Sequence, residues 1–475
     1  MSKLVVVKVN LSEIKTAIID NGKIVNLFID RNSTNKILNN IYIGKIKNVV
    51  YPLNIAFVDI GFNKPAYLNI NKKTIIKTGQ SIMVQVCKEP RENKGAKLTT
   101  DIVIPGKFLV YAPFGNISGI SKNIKNKLIK NNLKKTISSL KNNLFLKGSI
   151  IIRTEAEKTS ELEIKKEAKY ILKLWKSIKL KFKNAKQISL IYKDLSVTLQ
   201  VIRDYLTEDI TFIYVDSYKE FNIIFNFLSF FYPKYIKKLT FYDNKIPSLE
   251  IIKHKVVDEI KNYFLSNKIR LKSGGYLIIQ ENEFICTIDV NSGNFIKEKT
   301  KENIAILINT EAAEEIMRLL KLRNIGGIII VDFIDMKEIE NKIILIKKLR
   351  KLANIDKAKV KICSITKLGL VEITRERKTK SILLSIGNKC KKCNGLGFVL
   401  SNESIFINVC NEIEEKLKIS NYNYNKIIIS FSANELIEYF NMKKNEIEKL
   451  FKIKVNINKK ILNKSLKNNY EILLK

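Results

Sequence analysis

Two segments end apolar runs in carboxylates: Thr287-Ile288-Asp289-Val290-Asn291-Ser292-Gly293 and Ile329-Ile330-Val331-Asp332-Phe333-Ile334-Asp335-Met336. Strand alternation puts Asp289 and Asn291 on one face. If the two strands are neighbours, Asp289 and Asp332 converge on one hard cation, because Mg²⁺ takes oxygen ligands, keeps several waters and needs only one or two carboxylates. Such a cation orients water and stabilises charge developing on an attacked phosphate. The plainer explanation is that Asp, Asn, Ser and Gly at strand ends form turns and cap helices. On spacing alone that explanation is the stronger.

The other reactive residue types narrow the chemistry. The single histidine, His254, rules out a His-pair zinc site, a Ser-His-Asp triad built elsewhere and a two-histidine acid–base scheme. It is expected to be an ordinary helix-surface residue. Of the cysteines Cys87, Cys286, Cys363, Cys390, Cys393 and Cys410, only Cys390 and Cys393 have metal-ligand or redox spacing. That pattern argues against a secreted disulfide framework, and reducing cytosol is the expected compartment. Cys390-Lys391-Lys392-Cys393 with glycines after it is half of a zinc knuckle. Structural zinc wants four ligands, so the pair shares a metal between two protomers, is redox-active, or is idle, with Cys410 a conceivable third ligand.

Lys and Arg number 85 against 46 Asp and Glu, a formal charge of +39, which attracts polyanions. An AT-rich coding sequence, marked by abundant Ile, Lys and Asn, would also inflate lysine without selection for binding. Phe57 and Tyr67 fall on expected strands, where aromatics stack on unpaired bases or fill a core. Lys88, Arg91, Lys94 and Lys97 with Gly95 form a basic loop that could follow phosphates or simply be solvated.

These residues need elements to position them. At 475 residues the chain should form two to four compact units. Residues 4–9 and 24–29 around Asn21-Gly22 predict an opening β-hairpin. Closely spaced runs at Ile41 to Val50, Ile55 to Ile60, Ala66 to Ile70 and Ser81 to Cys87 predict a small five-stranded barrel of OB type. Helices are expected around 122–143 and from Glu161 to Ile178. An α/β unit follows, with helix 198–206, strand 210–215, helix 218–231 and helix 248–265. Then come strands 276–280 and 284–290, helix 302–322, strand Ile328 to Phe333, helix 337–353 and strand 359–365. The apolar stretch Phe221 to Phe231 is too short and too interrupted to span a membrane and reads as a buried helix. The N-terminus lacks the apolar run of a signal peptide.

Taken in order, the motifs resemble the ribonuclease E/G family over roughly residues 1–400. Ile41-Tyr42-Ile43-Gly44-Lys45-Ile46, Ala56-Phe57-Val58-Asp59-Ile60-Gly61 and Asn93 to Thr100 look like its RNA-binding barrel. Ile151-Ile152-Arg153-Thr154 looks like its 5′-end sensor. Arg318 to Met336, Thr366 to Glu372 and the CxxC with its glycines are similar to its catalytic core and cysteine link. The resemblance implies an α/β multidomain chain: a first RNase H-like segment (1–37), an inserted OB-fold barrel (38–100) and 5′-end sensor (101–196), a second RNase H-like segment (197–264), a DNase I-like catalytic subdomain (265–386), a zinc link (387–399) and a small C-terminal α/β domain (400–475).

By the same resemblance Asp289 and Asp332 hold catalytic Mg²⁺, with Asn291 the accompanying asparagine. Cys390 and Cys393 hold a Zn²⁺ shared between protomers of a homodimer or homotetramer. Phe57, Tyr67, Lys88 and Lys94 contact RNA, and Gly106, Val110, Arg153 and Thr154 recognise a 5′ monophosphate. Two departures stand out: a family arginine supporting the sensor corresponds to Lys359 here, which lacks the bidentate fork, and Tyr67 stands where phenylalanine is usual. The length matches the shorter branch of the family, without a C-terminal scaffold. The implied activity is Mg²⁺-dependent endonucleolytic cutting of single-stranded A/U-rich RNA in ribosomal RNA maturation and messenger turnover, favouring 5′-monophosphorylated ends, in the cytoplasm. The competing expectations are a non-catalytic RNA-binding protein, which would have no need of buried carboxylates near RNA, and a zinc or redox protein centred on the cysteine pair.

Overall fold

The structure is a computed structural model, and it describes residues 3–31, 36–70, 76–90, 94–143, 147–185, 187–242, 266–282, 284–293, 300–377, 379–388, 390, 392–393, 395, 397–419, 424–460 and 470–475. His254 and the helix expected at 248–265 lie outside these. The chain divides into two units, Met1–Ile386 and Gly387–Lys475.

Val5, Val7, Ala17, Ile18 and Leu27 lie on three antiparallel strands, Lys3–Val9, Glu13–Asp20 and Lys23–Arg31. The Asn21-Gly22 turn, with φ of +50° and +73°, joins the second and third. The expected opening hairpin is therefore a three-stranded meander. Its second strand is less legible because Thr16, Ala17, Ile18 and Ile19 are all buried in place of an alternating pattern. Ile210–Val215 adds parallel to the first strand and Leu239–Phe241 adds parallel to that one. One sheet is thus assembled from two stretches of chain with some 180 residues between them.

That interval holds two further layers. Ile41–Val50, Ile55–Asp59, Ala66–Asn69, Lys97–Thr99 and Ser81–Lys88 pair in that order, and the last returns to pair with the first, closing a five-stranded barrel of OB-like topology. Close approach demands glycine at Gly95, where a Cβ would lie 2.0 Å from the Pro65 carbonyl oxygen. After it comes a four-stranded sheet including Leu109–Ala112 and Ser149–Ile152, covered by helices Lys127–Asn143 and Glu161–Asn184.

Helix Tyr218–Phe231 corrects an expectation. Ile224, Phe227 and Leu228 are buried, but Tyr218, Phe225 and Phe230 are exposed, so it is amphipathic rather than buried. The aromatic residues that made the whole stretch look apolar lie partly on its outer face.

The last sheet of this unit runs Lys268–Arg270, Tyr276–Glu281, Ile285–Asn291, Gly327–Asp332, Val371–Arg375, Val360–Ile365. Helix Lys301–Leu322 connects the two central strands, which are parallel, as a βαβ crossover requires. Its Ile308, Ala312, Ile316 and Leu319 pack on Ile288, Ile329 and Val331 in one core. In the second unit, helices Asn402–Ile419 and Asn434–Phe451 pack on a three-stranded sheet through Val409, Ile413, Phe431 and Phe440. No helix among the described residues is long and apolar enough to cross a membrane.

Candidate active site

Alternation along Ile285–Asn291 buries Cys286, Ile288 and Val290 and turns Thr287, Asp289 and Asn291 to the other face. Along Gly327–Asp332 it buries Ile329 and Val331 and turns out Ile328 and Asp332. Because the two strands are parallel neighbours, Asp289 and Asp332 are register partners. Sequence reasoning required adjacency and the sheet supplies it. Both carboxylates are exposed, which corrects the expectation of buried carboxylates; among the described residues, helices Lys301–Leu322 and Ile339–Ala353 pack on the opposite face of the sheet.

Asn291 donates to Asp289 Oδ2 at 2.6 Å, fixing that carboxylate. The Asp332 carboxyl is raised above its ordinary range by partial burial and then by the negative charges of Asp289 and Asp335. A bound cation would relieve both the burial of this carboxyl and the like charge around it. Two carboxylates and an amide on an open face match the donors of a water-rich Mg²⁺ site, and no group of three or more His, Cys, Asp or Glu among the described residues forms a fuller cage.

Sequence reasoning missed the residues that hold this site. Asn309, buried on helix Lys301–Leu322, donates to the Ile334 carbonyl at 2.8 Å and accepts from the Ile334 amide at 3.0 Å. Glu302 accepts from the Lys337 and Glu338 amides at 3.0 and 3.2 Å. Together they clamp the loop that leaves Asp332 and carries Asp335. An asparagine inside an apolar helical stripe, between Ile308 and Ala312, was the available signal.

On the barrel, Phe57 and Tyr67 are register partners, Tyr67 pairs with Lys97, and Lys97 with Lys88. Ala56, Val58, Ala66 and Leu68 fill the core, so this band faces outward and is half-buried or exposed. Aromatic faces beside cations are what single-stranded nucleic acid binds. Lys97 belongs to the band, while Lys94 is exposed beside it; Arg91 lies outside the described residues.

Gly106 and Arg153 are brought together: Arg153 donates to the Gly106 carbonyl at 2.6 Å and to Asp204 at 2.7 Å. Val110 pairs with Ile151 in the adjoining strands, and the Thr154 hydroxyl lies 2.9 Å from that of Ser121. Glu167 accepts from the amides of Lys107, Phe108 and Leu109, and a Cβ on Gly106 would lie 2.5 Å from its carboxyl group. Glu167 and Asp204 were not legible as site residues. Lys357 reaches this region, 3.6 Å from Glu155 and 4.0 Å from the Tyr205 ring, and the Lys359 carbonyl accepts from the Glu376 amide.

In the second unit the Cys390 thiol is held below its ordinary range by hydrogen bonds from the backbone of Cys393 and Lys392 and from the Cys393 side chain. Both thiols are free, and this N–H to sulfur pattern suits thiolate ligands. Cys410 packs against the apolar core of its own unit, where burial raises its thiol, and it is not gathered with the pair in any ligand cluster among the described residues.

Comparison with known proteins meets this geometry. The family model described as Ribonuclease E/G family matches residues 103–378. Ribonuclease G of Escherichia coli (strain K12) is 33% identical over 434 residues, covering 87% of this chain and 88% of that protein. Ribonuclease G of Haemophilus influenzae is 32% identical, covering 85% of each. Ribonuclease E of Buchnera aphidicola subsp. Schizaphis graminum is 32% identical, covering 90% of this chain but 46% of that protein. The chain belongs to the ribonuclease E/G family and is an endoribonuclease of it.

Proposed function

We propose that this endoribonuclease cuts single-stranded, A/U-rich RNA by magnesium-dependent, in-line attack of water on a phosphodiester, leaving a 5′ phosphate and a 3′ hydroxyl. The register pairing of Asp289 with Asp332 carries the reading. These two residues would hold Mg²⁺, which when bound supplies Lewis-acid stabilisation of phosphate charge and a more acidic water. Asn291 keeps the Asp289 carboxylate oriented. Asn309 and Glu302 keep the Asp332 loop in place. Phe57 and Tyr67 stack bases while Lys88, Lys94 and Lys97 follow the backbone, positioning the strand for the cut.

Arg153, with Gly106, Val110 and Thr154, receives a 5′ monophosphate through paired hydrogen bonds. The sheet with three antiparallel and two parallel strands, interrupted in sequence by the barrel and the sensor, supports the RNase H-like assignment, and the sheet bearing Asp289 supports the DNase I-like one. Cys390 and Cys393 would share Zn²⁺ with a second protomer, giving a homodimer or a dimer of dimers. The duties are ribosomal RNA maturation and messenger turnover in the cytoplasm, as the likeness to ribonuclease G supports.

The test is cleavage of a short A/U-rich RNA with a 5′ monophosphate, in magnesium and in EDTA, by wild type and Asp289→Asn, with product ends analysed. The expected result is magnesium-dependent cuts with 5′-phosphate ends, lost in the variant while RNA binding persists. Binding without cutting by the wild type would make the chain an RNA-binding protein instead.

A further inference from the structure

Helix Glu161–Asn184 carries a charge pattern that the catalytic account does not use. Its acids, Glu161, Glu163 and Glu167, all fall in the first seven residues, and Glu167 is turned inward. From Ala168 to Asn184 there is no acid. Ile164, Ala168, Ile171, Trp175 and Ile178 are buried, and Lys166, Lys169, Lys173, Lys176, Lys179 and Lys183 are exposed. At 3.6 residues per turn these six lie within an arc of about 140° along roughly 26 Å of helix.

None of the six forms an ion pair among the described residues; the pairs on this helix involve Lys165 with Glu161 and Glu163 with Lys234, at its start. Lysine-rich composition alone does not produce this. In the second unit, helix Asn402–Ile419 pairs Lys416 with Glu412 and Lys418 with Glu414, and helix Asn434–Phe451 pairs Lys443 with Glu446 and Lys444 with Glu448. Like charges three and four residues apart destabilise a helix, so the row on Glu161–Asn184 carries a repulsion that an anionic partner would remove.

We propose that this lysine row is a second RNA-binding surface, gripping the sugar-phosphate backbone without regard to sequence and apart from the Asp289–Asp332 face. The helix's apolar side is committed to the core, so the row offers charge without insertion and suits a polyanion rather than a membrane. Glu167, on the inward side, holds the 106–109 loop, so RNA on the lysines is a different stretch from a 5′ end seated near Gly106. The inference rests on the family's RNA substrate.

The test compares Lys166→Gln/Lys169→Gln/Lys173→Gln/Lys176→Gln with a charge-matched variant of exposed second-unit lysines, Lys449→Gln/Lys452→Gln/Lys454→Gln/Lys459→Gln. Binding is measured in EDTA against salt, with uridine-rich RNAs of about 10 and about 40 nucleotides, the shorter able to occupy one site only. The row variant should bind the longer RNA about ten-fold more weakly and lower its salt slope by about 2 to 3, at about 0.7 per phosphate contact. It should bind and cleave the shorter, 5′-monophosphorylated RNA as the wild type does, and the charge-matched variant should change neither RNA. Equal weakening by both variants, no weakening by either, or loss of binding only to anionic phospholipid vesicles would overturn the proposal. Failure of the wild type to cleave the short RNA in magnesium would instead count against the catalytic reading, leaving the binding comparison to stand separately.

Discussion

Asp289, Asn291 and Asp332 are legible in sequence as residue types at strand ends, but not as a site. Their convergence depends on two strands, separated by a helix, becoming parallel neighbours in one register. Residues whose roles are set by tertiary partners left fainter marks. Lys107 is one: it is buried with its ammonium 4.6 and 4.5 Å from the Tyr232 and Tyr235 rings and no hydrogen-bond partner among the described residues. Burial, with Lys234 second, lowers this ammonium to about 8 from an ordinary 10.5. Below the lowered value both folded and unfolded chains hold the proton, and the fold bears the cost of a buried charge, partly offset by the rings. Between the two values only the unfolded chain holds it, so this contribution to stability rises with pH. Lys107→Met should therefore stabilise the protein at neutral pH by on the order of 1–2 kcal/mol, with the gain shrinking as pH rises through that window. Thermal unfolding midpoints across the window check this, and a variant less stable at neutral pH would refute it.

At the scale of elements, the barrel strands and the helices around 302–322 and 337–353 follow directly from their periodicity. Strand Val371–Arg375 was visible only within a family-like motif, because a five-residue run with Glu372 and Thr374 turned outward has little apolar signal of its own. The loop after Asp332 depends on Asn309, whose two hydrogen bonds to Ile334 join helix to strand end. Asn309→Leu leaves that backbone pair unsatisfied. It should cost about 1–3 kcal/mol and lower the cleavage rate roughly ten-fold through misplaced Asp332, with RNA affinity unchanged. A variant destabilised but cutting at the wild-type rate would confine Asn309 to a structural role.

For the whole molecule, insertion of the barrel and the four-stranded sheet between two segments of one sheet could not be read from local pattern, which ends at each strand and says nothing of which strands meet. Charge was equally ambiguous: +39 is a total, and only the placement of acids distinguishes paired helices from the lysine row, which makes no ion pair among the described residues. The CxxC is half a zinc site in sequence and remains a two-thiol site within the chain, among the described residues. Cys390→Ser/Cys393→Ser should convert the assembly to monomers in sedimentation velocity and abolish bound zinc in elemental analysis. An unchanged sedimentation coefficient would remove the shared-metal account.

Asp289 and Asp332 are proposed to form the catalytic metal centre, and Asp332→Asn removes one of its two carboxylates. The rate of cutting a 5′-monophosphorylated A/U-rich RNA would be followed through a magnesium titration, with RNA affinity and thermal stability measured on the same samples. The expected result is a rate lower by on the order of 10²–10³-fold, affinity close to wild type, and no loss of stability, because the substitution removes a carboxylate repelled by Asp289 and Asp335. Wild-type cleavage at ordinary magnesium would contradict it.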